Sequence, residues 1–316
     1  VATHAESVPG GAALSIRFSV VIPARNEVAL LPATLRGLDQ QDFAGAYEVI
    51  VVDNGSTDQT AEVARAGGVR VVTEPRRGVC QARQTGTLAA RGEIIVSTDA
   101  DTVHRPDWLR RIDQHYAGDP GLVAVGGGCR FTGAAWWARA YPFLLFNGVG
   151  LCYRLTGRVW YVSAANLSFR RDAWSGYDVN LTQGGDELDQ LHRLRKAGRV
   201  AFDPTLFVDT SARRLNRGVW YNLVITLAYY YLLGYLINRI SGRPLLPMAP
   251  EFRPVQTTRL SRSTTAPSGQ LPMRLAAAAA MITILTFVMI ISPTSRAAAE
   301  GVADHVHSAV RHLVRR

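Results

Sequence analysis

Cysteine is scarce in this 316-residue chain: Cys80, Cys129 and Cys152 lie far apart, are odd in number and form no CxxC pair. That spacing excludes a disulfide framework and a zinc site, and leaves three small apolar side chains in a reducing compartment. Charge is sparse as well, with 19% Asp, Glu, Lys and Arg against 47% hydrophobic residues. Such a balance excludes global disorder and supplies a core. What charge there is leans one way. A formal net charge of +10 points to an anionic partner: nucleic acid, anionic lipid or a phosphorylated substrate. No helical pattern gathers the arginines onto one face, so nucleic acid is set aside. Residues 1–15 have no basic start followed by an apolar core, so no signal peptide is expected there and they read as a flexible N-terminus. There is no internal repeat.

Apolar runs alternate with helical patterns through the first 125 residues. Strands are expected at 16–23, at 48–53 (EVIVVD), at 69–73, at 93–98 (EIIVST) and at 122–125. Helices are expected at 30–41, 58–66, 79–91 and 106–116, the last with Pro106 in its first turn. Strand–helix alternation predicts an α/β fold with a mostly parallel, Rossmann-type sheet covered on both faces, and ligands in such sheets bind beyond the carboxyl ends of the strands. Residues 131–155 are rich in Trp, Tyr, Phe and Gly, and 185–197 read as a helix stopped by Gly198.

Polar clusters follow the strand ends. In VIPARNE (21–27), Glu27 suits a nucleobase and Arg25 a phosphate, although a solvated loop has the same composition. In VVDNGSTD (51–58), Asp53 closes a buried strand, where a carboxylate needs a partner such as a base N–H or a ribose hydroxyl. Ser56 and Thr57 are equally good helix caps. The segment RRGVCQAR (76–83) combines arginines, a glycine and a helix start, a good diphosphate site or else a surface charge run. STDAD (97–101) sets Asp99 and Asp101 at the end of an apolar strand. Two hard oxygen ligands there suit Mg²⁺ or Mn²⁺ and could bridge a substrate diphosphate. Finally, GGDELD (184–189) opens a helix with three acids in four positions. The helix dipole asks for fewer, which makes a general base the functional reading.

Five such clusters in this order resemble the family 2 glycosyltransferases, whose fold is GT-A, across roughly residues 16–215. The resemblance implies that the first two loops hold the nucleoside through Pro23, Arg25, Glu27, Asp53 and Asp58, and that Arg77, Gly78 and Arg83 belong to the diphosphate region. It makes Asp101 the principal ligand of Mn²⁺ or Mg²⁺, with Asp99 nearer the ribose. The family's base lies in a Glu-Asp pair; here the order is reversed, so Glu187 matches the base position and Asp186 is the alternative. Asn166 and Asp189 fall on the acceptor side, Asn166 either bonding a sugar or shaping a turn. The Gln-x-x-Arg-Trp signature of processive members is missing; Arg213 and Arg214 stand there as diphosphate candidates. Transfer of a single sugar with inversion is therefore expected, from a nucleotide-diphosphate sugar with UDP as the first base to test.

Beyond the catalytic region (nucleotide half 16–125, acceptor half 126–215), residues 216–240 form an apolar, aromatic stretch suited to a membrane interface, and 241–273 a linker. Residues 275–292 are eighteen uncharged residues between Arg274 and Arg296, at the lower edge of the roughly 17–25 that cross a bilayer. A transmembrane helix is expected over 274–296 and a basic amphipathic tail over 297–316, placing the enzyme at the cytoplasmic face of a membrane with a lipid-linked or membrane-delivered acceptor. Two other readings compete. A sugar nucleotidyltransferase also uses Mg²⁺ on an α/β sheet, but Ala24-Arg25-Asn26-Glu27 replaces its Gly-rich first loop. An inactive membrane-tethered scaffold would keep nucleotide binding without turnover.

Overall fold

A computed structural model describes residues 15–133, 136–179 and 186–213. The N-terminal residues 1–14, Arg214, the apolar stretch 216–240, the linker, the expected transmembrane helix 274–296 and the tail lie outside the described residues, as do Gly184 and Gly185.

The chain order is β1 (Phe18–Ala24), α1 (Leu31–Asp39), β2 (Tyr47–Asp53), α2 (Thr60–Ala66), β3 (Arg70–Thr73), α3 (Val79–Ala89) and β4 (Ile94–Ser97), then β5 (Thr102–Val103), α4 (Trp108–Gly118), β6 (Leu122–Thr132), α5 (Trp136–Thr156), β7 (Leu167–Arg170), α6 (Asp186–Ala197) and β8 (Arg199–Ser211). A 3₁₀ turn, Ala164–Asn166, leads into β7. One sheet holds all eight strands in the order β3-β2-β1-β4-β7-β6-β8-β5. The first four are parallel. β7 runs antiparallel to both β4 and β6, β6 and β8 are parallel, and β5 is antiparallel to β8. The sheet is thus mixed where a mostly parallel one was expected: α/β alternation holds as far as β4, and β7 then inserts against the grain.

The strands form where β-branched runs can be buried on both faces. Along β1, Phe18, Val20 and Ile22 join Leu31, Leu35, Leu38, Trp108 and Ile112 on one side of the sheet. Val21 points to the other side, with Ile50, Val52, Ile95, Ala82, Phe146, Leu191 and Leu194. Pro23 lies two residues past the last β1–β4 pair, Val21↔Ser97, so its missing N–H opens no ladder bond there. α4 starts at Trp108, so Pro106 precedes the helix and does not occupy its first turn.

The second half owes its shape to close packing. A Cβ on Gly127 would come within 2.1 Å of the Leu206 carbonyl oxygen, and one on Gly128 within 3.0 Å of the Phe146 ring. The glycine run 126–128 therefore lets β8 and α5 close on β6, which extends to Thr132, beyond the expected 122–125. β1 is the switch point of the sheet: the chain moves outward through β2 and β3, then crosses back to β4 on the other side. A binding crevice is expected at the carboxyl ends of β1 and β4.

Candidate active site

The loop after β1 is tied to the loop after β2. Asn26, at φ +52°, donates its N–H to Ser56 Oγ at 3.0 Å and accepts at Oδ1 from Thr57 N at 2.7 Å. Asp58 accepts from Val28 N at 3.3 Å, from Thr60 N at 3.0 Å and from the Thr60 hydroxyl. These bonds commit Asp58 to holding the two loops and the start of α2 together. Asp53, half-buried at the end of β2, accepts from Ser56 N at 3.1 Å. Pro23 and Arg25 sit half-buried at the carboxyl end of β1, so both nucleoside-side loops converge there.

Asn54 organises the arginine loop, a role that sequence reading did not assign. Its buried amide donates to the carbonyls of Glu74 and Arg76 at 2.9 and 2.7 Å and accepts from Gly78 N at 2.9 Å. Gly78, at φ +143°, makes the turn into α3. Arg76 is occupied by Glu74 at 2.9 Å. The Arg76 hydrogen bond, helped by Thr85 and the Arg76 N–H, lowers the Glu74 carboxyl to about 2. Arg77 is exposed next to it and makes no ion pair among the described residues.

Asp99 and Asp101 each meet an arginine. The buried Arg83 of α3 donates through Nη2 to Asp99 Oδ1 at 2.8 Å. Arg213 Nη2 lies 2.9 Å from Asp101 Oδ2, and Thr210 Oγ1 donates to Asp101 Oδ1 at 3.4 Å. The same guanidinium bonds both oxygens of Glu27, at 2.7 and 2.8 Å. Glu27, 6% exposed, is therefore anchored to Arg213, where sequence alone suggested a nucleobase partner. Arg213 arrives because β8 ends beside Asp101, with Ser211 N bonded to the Asp101 carbonyl at 3.2 Å.

Cys129, near the end of β6, feels three of the candidate carboxylates. Burial first, and then the charges of Asp99, Glu187 and Asp101, push its thiol up to about 12, against a hydrogen bond from the Ser163 side that lowers it. Asp99, Asp101 and Glu187 therefore all lie within electrostatic reach of this one thiol. Sequence reading treated Cys129 as a plain apolar residue because the three cysteines are far apart, odd in number and form no CxxC pair. The side chain of Asp186, the alternative base, lies outside the described ones.

Two acceptor-side candidates sit elsewhere. Asn166 is 1% exposed, accepts from Trp108 Nε1 at 2.9 Å and donates to the carbonyls of Gly128 and Leu206 at 2.8 and 2.9 Å. Its amide faces the core and ties α4, β6 and β8 together. Asp189 accepts from Arg193 Nε at 2.7 Å along α6 and lines a cavity of about 650 Å³ with Ala173, Ser175, His192 and Lys196.

Among the described residues, no three His, Cys, Asp or Glu side chains come together as a metal-holding group. The donor set nevertheless suits a hard divalent ion. Mg²⁺ is commonly held by one or two carboxylates and completed by phosphate oxygens and water, and Asp99 and Asp101 are oxygen donors one residue apart at a strand end.

Residues 19–175 match the profile of Glycosyl transferase family 2. Glycosyltransferase AglE of Haloferax volcanii is 34% identical over 201 residues, covering 60% of this chain and 64% of AglE. The undecaprenyl-phosphate 4-deoxy-4-formamido-L-arabinose transferase of Pseudomonas aeruginosa is 32% identical over 139 residues, 41% of this chain and 40% of that one. The chain thus spans less than two thirds of the length of either relative. The solved mannosyltransferase PcManGT from Pyrobaculum calidifontis, in complex with GDP-Man and Mn²⁺, superposes with a TM-score of 0.55 at 21% identity, covering 94% of this chain and 82% of that one. At that identity the likeness is one of fold, and the fold is the GT-A-like one that the motifs implied. On the profile match, the chain belongs to glycosyl transferase family 2.

Proposed function

We propose that this chain moves one sugar from a nucleotide-diphosphate sugar to a membrane-associated, lipid-linked acceptor hydroxyl or phosphate, with inversion and with Mn²⁺ or Mg²⁺ bound. A UDP-sugar is the first donor to test. The observation that carries the reading is the pair Asp99 and Asp101 just past the carboxyl end of β4, each met by an arginine, Arg83 at 2.8 Å and Arg213 at 2.9 Å, with Glu187 within electrostatic reach of the same Cys129 thiol.

Glu187 takes the acceptor proton as the acceptor oxygen attacks the anomeric carbon. The bond from that carbon to the diphosphate oxygen breaks, and the nucleoside diphosphate leaves with the electron pair. Arg77, Arg83 and Arg213 place positive charge where the leaving group gains negative charge. Asp101, with Asp99, holds the divalent ion, which when bound supplies further charge stabilisation on the diphosphate. Asp53 and the loop set by Asp58 cradle the nucleoside. A lipid-linked acceptor is supported by the name of the Pseudomonas relative, which specifies undecaprenyl phosphate, and divalent metal by the Mn²⁺ in the solved mannosyltransferase. Membrane attachment through 274–296 belongs to the same reading. Among the described residues no helix is long and apolar enough to cross a membrane, and the segment 274–296 lies outside them.

The test offers UDP-, GDP- and dTDP-sugars with Mn²⁺, Mg²⁺ or EDTA and a membrane lipid extract, and follows released nucleotide and labelled lipid. Metal-dependent release of nucleoside diphosphate with one donor, together with labelled lipid, is expected. Release of pyrophosphate would identify a nucleotidyltransferase instead, and tight nucleotide binding without release would identify a scaffold.

A further inference from the structure

Helix α5 has two unlike faces. Phe146 and Val149 are buried, and the Phe146 ring stacks on Phe202 at 6.4 Å between centroids. The opposite face exposes Phe143 by 67%, Leu144 by 39%, Leu151 by 50% and Leu155 by 76%, with Asn147 and Arg154 exposed among them. At 3.6 residues per turn these six fall within an arc of about 120°. Large apolar side chains gathered on one helix face differ from the scattered singles of an ordinary surface.

Along the sequence, the charge on and around α5 has one sign. Between Asp119 and Asp172 the sequence has no Asp or Glu, while it has Arg130, Arg139, Arg154, Arg158, Arg170 and Arg171. Arg154 and Arg158 are exposed at the C-terminal end of the apolar arc. Arg195 of α6 stands near enough to feel Arg158: its pKa is lowered, by burial first and then by that cation.

We infer that α5 is an in-plane docking helix for an anionic phospholipid bilayer, with Phe143, Leu144, Leu151 and Leu155 among the acyl chains and Arg154 and Arg158 on headgroup phosphates. Other occupants fit the charge poorly. The chain's own apolar stretch 216–240 lies in a region, from Asp209 to Glu251, that has no acid and carries Arg213, Arg214, Arg217, Arg239 and Arg243. A second copy would bring the same net charge of +10 to this face. The inference deepens the proposed function and rests on it for the acceptor alone. α5 packs over Gly128, next to Cys129, whose thiol feels Asp99, Asp101 and Glu187, so a bilayer under α5 is the surface from which a lipid-linked acceptor would approach those carboxylates.

The full chain is made with the photoreactive residue p-benzoylphenylalanine at Leu151, at Leu155, or at Leu88 of α3 as a control that is equally exposed (67%). Each is irradiated with vesicles of phosphatidylglycerol and phosphatidylcholine, or of phosphatidylcholine alone. Lipid adducts at 151 and 155, at least tenfold above those at 88 and dependent on phosphatidylglycerol, are expected. Arg154→Gln with Arg158→Gln should raise the lipid concentration for half-maximal adduct about thirtyfold, at about fivefold per arginine. Adducts to the chain itself, adducts of dimer mass, or no lipid adduct would each overturn the inference. No nucleotide is present, so the outcome is separate from the proposed function: adducts without donor turnover leave the docking helix standing and remove the transferase reading, and turnover without adducts does the reverse.

Discussion

Arg213 joins Glu27 and Asp101, two carboxylates from far earlier in the sequence, and its removal should show in stability before any substrate is added. Its guanidinium makes two bonds to Glu27 and one to Asp101, while Glu27 is 6% and Asp101 10% exposed at the side chain. Arg213→Met keeps the apolar stem and deletes the charge. Breaking a fully buried pair costs about 3–5 kcal/mol, because the remaining charges stay buried without compensation. Arg213 itself is 21% exposed, so water can reach the vacated space and the expected cost falls to about 3 kcal/mol. Glu27→Gln alone should cost about 1–2 kcal/mol, since an amide can still accept one of the two bonds. In the double variant one of the two stranded charges is gone, so the costs should not add: a coupling of about 2 kcal/mol is expected. Urea unfolding of the wild type, both single variants and the double variant measures it, with equal m-values required for the comparison. Additivity within about 0.5 kcal/mol would refute the idea that Arg213 and Glu27 act as one unit.

Three further outcomes are expected. Glu187→Gln should retain nucleotide-sugar affinity and lose transfer by about a hundredfold or more, as loss of a general base does; equal loss of donor binding, read by calorimetry, would move Glu187 out of that role. Asn54→Asp should be worse than Asn54→Ala, because a carboxylate would then face the carbonyls of Glu74 and Arg76. The Ala variant should cost about 2 kcal/mol in stability and weaken binding of nucleoside diphosphate through the loosened Arg76–Gly78 loop, both measurable by thermal shift with and without nucleotide. Glu74, lowered from 4.5 to about 2 chiefly by Arg76, contributes stability that is fully present above pH 4.5 and is lost as pH falls toward 2. Glu74→Gln should therefore flatten the stability profile between those pH values, and an unchanged acid limb in the variant would contradict that assignment.

The first four strands were legible because each is an apolar, β-branched run bounded by helical patterns, and the chemistry at their ends breaks that pattern with polar residues. The second half hides its strands for identifiable reasons. Gly126–Gly128 leaves β6 without side chains to show alternation, Pro204 within β8 resembles a turn signal, and β7 is only four residues long. Their pairings are long-range, so no local period reports them. Asn166 shows the consequence: its partners Trp108, Gly128 and Leu206 lie 58, 38 and 40 residues away, and only the assembled sheet decides between a turn residue and a sugar ligand.

The same distinction runs through the site. A carboxylate at a strand end announces that some cation must meet it, and Asp99 and Asp101 could be chosen on that ground alone. Which cation meets it is a matter of topology. Arg83 reaches Asp99 from α3, 16 residues earlier, and the pairing lies within one βα unit. Arg213 reaches Asp101 only because β8 runs parallel to β6, pairs at its far end with β5 and so delivers its last residues to the loop that begins at Asp99. Glu27 is then drawn into the same contact from 186 residues away. From the sequence, a lone acid in a loop suggests a nucleobase partner for Glu27. Burial of that acid changes the argument, since at 6% exposure it needs a cation, and the end of β8 supplies one.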